Sequence, residues 1–255
     1  MISKRPLIFV SNDDGIDAKG LYALIDIARS FGEVIAVAPE TPQSGKSSAL
    51  TAEDPLRVTQ MPDYNGCKTY KVNGTPVDCA KLSFHSILPR VPDMVLSGIN
   101  HGANTGNSVI YSGTMGIAFE GSIQGIPSIG FSLTDFSKDA DFSKAKGIIK
   151  HIISDVLESG LPEGVCLNVN IPSGLVPEGI KIVKAAEGKW TEEYMKCVDP
   201  HNRTYYWLTG KYINLEPENP ETDLYWIKRN FATVVPCIQD RTAYNSIDKI
   251  KSILS

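Results

Sequence analysis

The most constraining feature of this chain is a strand–helix–strand rhythm near its N-terminus, broken by two adjacent carboxylates. Pro6-Leu-Ile-Phe-Val-Ser11 is an apolar run of the kind that forms a fully buried strand. It stops at Asn12-Asp13-Asp14-Gly15. Asp17 is placed to cap a helix whose apolar face is Leu21, Leu24, Ile25 and Ala28, with Gly32 as its stop. Glu33-Val-Ile-Ala-Val-Ala38 then reads as a second buried strand. Such a βαβ unit predicts a right-handed crossover. The acidic loop then lies at the carboxyl edge of the sheet, where open α/β sheets hold their ligands. Neighbouring carboxylates repel unless a cation or proton sits between them, but Asn, Asp and Gly are also ordinary turn residues. The four residues alone allow both a divalent-metal site and a solvated turn.

Later loops fall at the same predicted edge. After the second strand comes Pro39-Glu-Thr-Pro-Gln-Ser44-Gly45-Lys46-Ser47. Gly-Lys-Ser resembles the end of a phosphate-binding P-loop, but that motif needs a glycine where Glu40 stands. Ser44 remains as a hydroxyl able to face Asp13 and Asp14, and oxygen is a legitimate ligand for a hard metal. Leu56–Gln60 and Thr69–Val72 form a hairpin-like pair around Asp63-Tyr-Asn-Gly66. Thr75, Pro76 and Asp78 have the spacing of a helix start, with the helix running to about Ser86. Asp93-Met-Val-Leu-Ser97 is a third buried strand, followed by a loop rich in Asn and Gly, 98–107. In that loop Asn100 holds the place relative to its strand that Asp14 holds relative to the first. Ser112 is the expected N-cap of the next helix. A helix start with Gly113 and Thr114 behind it offers unpaired N–H groups and a hydroxyl to an anion.

Pro127–Phe131 and Val165–Ile171 read as further strands, separated by an amphipathic helix over 142–159. From Pro172 the rhythm changes to Pro, Gly, aromatics and short alternating stretches. The expected architecture is an α/β, Rossmann-like doubly wound sheet over 1–172. Residues 173–255 form an appended β-rich C-terminal segment with an oligomerisation arm at about 185–215. Glu221-Thr-Asp223 caps a short helix, and Phe231–Val235 is a late strand that returns to the core or is swapped to a partner.

A net charge of -4 with no basic stretch excludes a nucleic-acid polymer as the main partner. Cys67, Cys79, Cys166, Cys197 and Cys237 are scattered, odd in number and without a C-x-x-C, which argues against a disulfide framework or structural zinc. No apolar run is long enough to span a membrane, and a cytoplasmic location is the default expectation.

Together the loops resemble those of the SurE family, the survival-protein-E 5'-/3'-nucleotidases. The stretches that carry the resemblance are Ser11–Ile16, Ala38-Pro39 with Ser44-Gly45, Asn73–Cys79, Leu96–Asn104, Val109–Thr114 with Glu120-Gly121, and Glu221–Asp223. They occur in register over roughly the first half of the chain and again near its end. The resemblance implies a phosphatase of nucleoside monophosphates dependent on Mg²⁺ or Mn²⁺, with the metal on the residues matching Asp13, Asp14, Ser44 and Asn100. It also implies dimers or tetramers built by exchange of the C-terminal segment.

The loop residues themselves form an all-oxygen set with two anions, which suits a hard divalent cation and disfavours zinc. The expected reaction is phosphomonoester hydrolysis with water as nucleophile. Asp13, Asp14 and Asn100 carry the catalytic centre and Ser44 completes the metal shell, while Asn104, Ser112, Gly113 and Thr114 hold the phosphate. His101 is the one histidine worth testing as an acid, with an incidental loop histidine in solvent as the favoured expectation. The rival expectation is a regulatory protein that binds nucleotide and metal at the same site without turnover.

Overall fold

The computed structural model describes residues 5–254. In chain order the first half contains β1 (Leu7–Ser11), α1 (Lys19–Ala28), β2 (Glu33–Pro39), β3 (Val58–Tyr64), β4 (Cys67–Val72), α2 (Pro76–Leu82), β5 (Met94–His101) and α3 (Gly113–Ile123). There follow β6 (Ser128–Leu133), α4 (Lys146–Ser159), β7 (Val165–Ile171), β8 (Ile180–Ile182), β9 (Gly188–Thr191), β10 (Tyr194–Val198), β11 (Thr204–Leu208), β12 (Lys211–Asn214), α5 (Asp223–Ile227), β13 (Ala232–Ile238) and α6 (Ile247–Leu254).

Nine strands make one sheet in the order β3-β4-β2-β1-β5-β6-β7-β13-β8. Strands β4, β2, β1, β5, β6 and β7 are parallel neighbours, while β3 and β13 run antiparallel to β4 and β7. Alternate residues of β1 serve opposite faces. Ile8 and Val10 pack with Leu21, Leu24 and Ile25 of α1 and Ile149, Ile152 and Ile153 of α4. Leu7 and Phe9 pack with Cys79 and Ala80 of α2 and Ile117 of α3. The fold is therefore Rossmann-like and doubly wound. The chain goes from β1 outward to β2 and later returns to β5 on the other side of β1. Between β1 and β5 lies the switch point, where the crevice outside the strand ends is open to ligand.

Local signals explain most boundaries. The Asn65-Gly66 turn has φ of 49° and 79°, the two positive values that a tight hairpin between β3 and β4 requires. Thr75 and Asp78 form a complete capping box with Pro76 at the first turn. The expected helix to Ser86 divides: α2 ends at Leu82 and a wider helical turn, Ser83–Ile87, finishes it. Asp17 does not cap α1. Ala18 occupies the cap position and makes no side-chain bond there.

β5 is longer than the sequence predicts. Its pairing with β6 shifts between Ser97 and Asn100 and then resumes, so Asn100 and His101 are strand residues beyond a bulge rather than loop residues. Gly98 makes this possible. Its φ is +120°, and a Cβ there would lie 2.3 Å from the Phe131 carbonyl oxygen.

The main sheet continues past residue 172, because β13 inserts between β7 and β8. The late strand thus lies in the core of its own chain. The expected arm appears as a ribbon outside the sheet, formed by the antiparallel pairs β9–β12 and β10–β11. Thr222 rather than Glu221 stands at the cap of α5, which ends at Ile227. No helix among the described residues is long and apolar enough to cross a membrane.

Candidate active site

Asp13 leaves the end of β1 buried, only 3% exposed. Its neighbours come from two elements. The Thr114 hydroxyl donates to Asp13 Oδ1, and the Gln43 N–H donates to the Asp13 carbonyl at 2.7 Å. Gly113 belongs to the same contact: a Cβ there would fall 2.7 Å from Asp13 Cβ. Its bare backbone lets the start of α3 close onto the carboxylate. Burial pushes the Asp13 carboxyl up to about 6; the Thr114 hydroxyl offsets part of this, and the Asp14 charge adds to it. Asp14 is less buried. Burial raises its pKa too, against the His101 N–H that donates to Asp14 Oδ2 at 3.1 Å.

A cavity of about 610 Å³ opens over this corner. Asp13, Ser44, Asn100, Asn104 and Ser112 all line it. The 40–50 loop that carries Ser44 is held at both ends. Ile16 N–H donates to the Pro39 carbonyl at 2.9 Å, and Ser47 bonds the Tyr111 and Ile110 carbonyls at 3.1 and 2.6 Å. Asn100 Nδ2 donates to the Gly102 carbonyl at 2.8 Å, which leaves the amide oxygen as its ligand atom. Ser112 Oγ accepts from the Met115 N–H at 3.1 Å as the N-cap of α3, so its own proton is still available to an anion. Asp14, Gly113 and Thr114 stand behind the wall rather than on it. The Thr114 hydroxyl, expected on a phosphate, is engaged by Asp13 instead.

Oxygen donors dominate the corner. Neither aspartate forms an ion pair among the described residues, and no three His, Cys, Asp or Glu side chains there cluster as a metal group. The buried oxygens Ser11 Oγ, Asn12 Oδ1 and Ser97 Oγ take no hydrogen bond among the described residues, although such orphans are rare. Ser11, at the end of β1, is the register partner of Ser97, where β5 enters its bulge. Two carboxylates, a hydroxyl and amide oxygens fit a hard divalent cation; soft or nitrogen-preferring metals find no partner set here.

His101 also lines the cavity. Its Nδ1 donates to the Ser137 carbonyl at 2.8 Å, since that oxygen can only accept.

Two further sets of residues hold the site together; sequence reasoning missed the first, and took Asp223 of the second as a helix cap and part of an acidic motif without placing it at the site. Asn168 and Asn170 of β7 are buried and grip the backbone of Asn104. Asn168 Nδ2 donates to the Asn104 carbonyl at 2.7 Å, and the Asn104 N–H donates to Asn170 Oδ1 at 2.7 Å. Asn104 Nδ2 in turn donates to Ser132 Oγ at 2.9 Å. Two asparagines spaced by one residue inside an apolar run were the available signal. Asp223, at the start of α5, accepts from the Gly106 and Ala186 N–H groups, both at 2.9 Å. It joins the site loop to the root of the ribbon, with burial raising its pKa. No local pattern marks a contact made over so long a sequence separation.

A family model described as "Survival protein SurE" matches residues 8–192. A "5'-nucleotidase SurE" of Bacteroides fragilis is 45% identical over 252 residues, covering 99% of each chain. A protein of the same name from Christiangramia forsetii is 47% identical over 257 residues, 99% of this chain and 98% of the relative. The crystal structure of the SurE protein from Aquifex aeolicus superposes with a TM-score of 0.84 at 34% identity, over 98% of this chain and all of that one. With the doubly wound sheet, the acidic corner at its switch point and these full-length matches, the chain belongs to the SurE family.

Proposed function

We propose that the chain is a 5'-nucleotidase that hydrolyses nucleoside monophosphates to nucleoside and phosphate with a bound Mg²⁺ or Mn²⁺. The observation that carries this reading is Asp13, a buried carboxylate without a cationic partner among the described residues, at a cavity shared with Ser44, Asn100, Asn104 and Ser112. The names of the full-length relatives support the nucleotidase class. Asp13, Asp14, Ser44 and Asn100 would hold the cation, which supplies Lewis-acid polarisation of the phosphoryl group.

The chain's own groups do the rest. Ser112 Oγ–H orients the phosphate oxygens, helped by the positive end of the helix. Asn104, fixed by Asn168 and Asn170, supplies a side-chain donor to the same cavity. Buried Asp13 is held by the Thr114 hydroxyl, so its charge is oriented before substrate arrives. His101 Nε2 is placed to manage a proton at the cavity wall. A homodimer or tetramer assembled through the ribbon and C-terminal segment completes the proposal.

The test is phosphate release from a panel of nucleoside monophosphates with Mn²⁺, with and without chelator. Release that chelator abolishes and Mn²⁺ restores is the expected result. Nucleotide binding with no release under any metal would replace the enzyme reading with the regulatory one.

A further inference from the structure

The same cavity is not polar throughout. It is lined by Tyr111, Phe136, Trp190, Tyr194 and Leu208, three of them from the ribbon. These side chains are well exposed: Trp190 is 38% accessible and Tyr194 67%. Solvated aromatics in the lining of a cavity of ligand-binding size call for a flat apolar ligand.

The ribbon is not loosely tethered there. The Tyr212 hydroxyl accepts from the Asn107 N–H and donates to the Ala186 carbonyl, both at 3.3 Å, and Asn107 Nδ2 donates to the Gly188 carbonyl at 2.6 Å. Asp223 ties Gly106 to Ala186. Trp190 packs edge-on against Tyr212 with ring centroids 5.5 Å apart. The root of the ribbon, the site loop and the tryptophan are thus one connected unit.

A nucleoside monophosphate pairs the same two chemistries, an anionic phosphate and a flat aromatic base. Resting on the nucleotidase reading, we propose that Trp190 and Tyr194, with Tyr111 and Phe136, form a stacking platform for the nucleobase. The ribbon then serves as a specificity element that distinguishes nucleotides from other phosphomonoesters. Stacking is tolerant of base identity because every base presents a π-face, so the platform selects for a base without strongly choosing among bases.

Two measurements test this together. The chain has three tryptophans, and a base stacked on Trp190 quenches part of their emission. Titration with adenosine, which has no phosphate, is expected to quench the wild type but not Trp190→Phe. Separately, the ratio of kcat/KM for adenosine monophosphate to that for ribose 5-phosphate is expected to fall about ten-fold in Trp190→Ala and in Tyr194→Ala. Trp190→Phe, which keeps a ring, retains most of the ratio. The ratio guards against misfolding, since a damaged protein loses both substrates alike. Equal losses on both substrates, an unchanged ratio, or no nucleoside quenching in the wild type would overturn the platform. A wild type that hydrolyses no phosphomonoester would instead sink the nucleotidase reading, and the adenosine titration would still decide the platform.

Discussion

Asp13 concentrates the chemistry of the site in one residue. Its carboxyl stands at about 6 in the folded chain against an ordinary value of 3.8. Between those values the folded state keeps a proton that the unfolded state has released, so metal-free stability falls as pH rises through that window. A shift of this size is worth about 3 kcal/mol. Melting temperature in chelator should therefore drop from pH 4 to pH 6.5, and Mn²⁺ should restore it most at the upper end, because cation and proton compete for the same oxygens. A flat profile in chelator would contradict this. Asn170→Ala removes the acceptor of a buried N–H at Asn104. It should cost about 1–3 kcal/mol in a denaturant melt and raise KM for phosphomonoesters more than it lowers kcat. Asp13, Ser44, Asn100, Asn104 and Ser112, which line one cavity, were legible in the sequence because they fall in polar, Gly-rich stretches that follow apolar runs or, for Ser112, at a helix start. Asn168 and Asn170 were not, because they sit within such a run and act through the backbone of another residue.

At the scale of elements, the decisive juncture is the start of α3 against the end of β1. Gly113→Ala places a methyl 2.7 Å from Asp13 Cβ, so either the helix or the carboxylate must move. Activity and Mn²⁺ affinity are expected to fall at least ten-fold, with far-UV circular dichroism close to wild type; unchanged metal affinity would show that this approach is dispensable. The βαβ opening, the Thr75–Asp78 capping box and the Asn65-Gly66 hairpin were legible because their signals lie within a few residues. The bulge that carries β5 through Asn100 was not. It depends on Gly98 approaching the Phe131 carbonyl of a neighbouring strand, a contact absent from local sequence. The capping role expected of Asp17 failed because Ala18 ends the preceding turn one residue later.

In the whole molecule, two features project from the sheet with apolar surface uncovered. One is the ribbon, with Tyr205, Tyr206, Trp207 and Leu208 exposed; the other is α6, with Ile250, Ile253 and Leu254 exposed. We propose that both surfaces contact a second copy of the chain. Removing residues 185–215 should yield a smaller species in sedimentation velocity, and an unchanged oligomer would show that the ribbon does not assemble it. The arm was visible in the sequence as a change of composition. The return of β13 to the core was visible as a late apolar run, but its seat between β7 and β8 required the folded topology. All of these parts converge on one claim, that Asp13 and Asp14 are the anionic half of a cation centre. Calorimetric titration of chelator-treated protein with Mn²⁺ tests it most directly: one cation site per chain in the wild type, lost in Asp14→Asn, is the predicted result, and equal binding by both proteins or none by the wild type would contradict it.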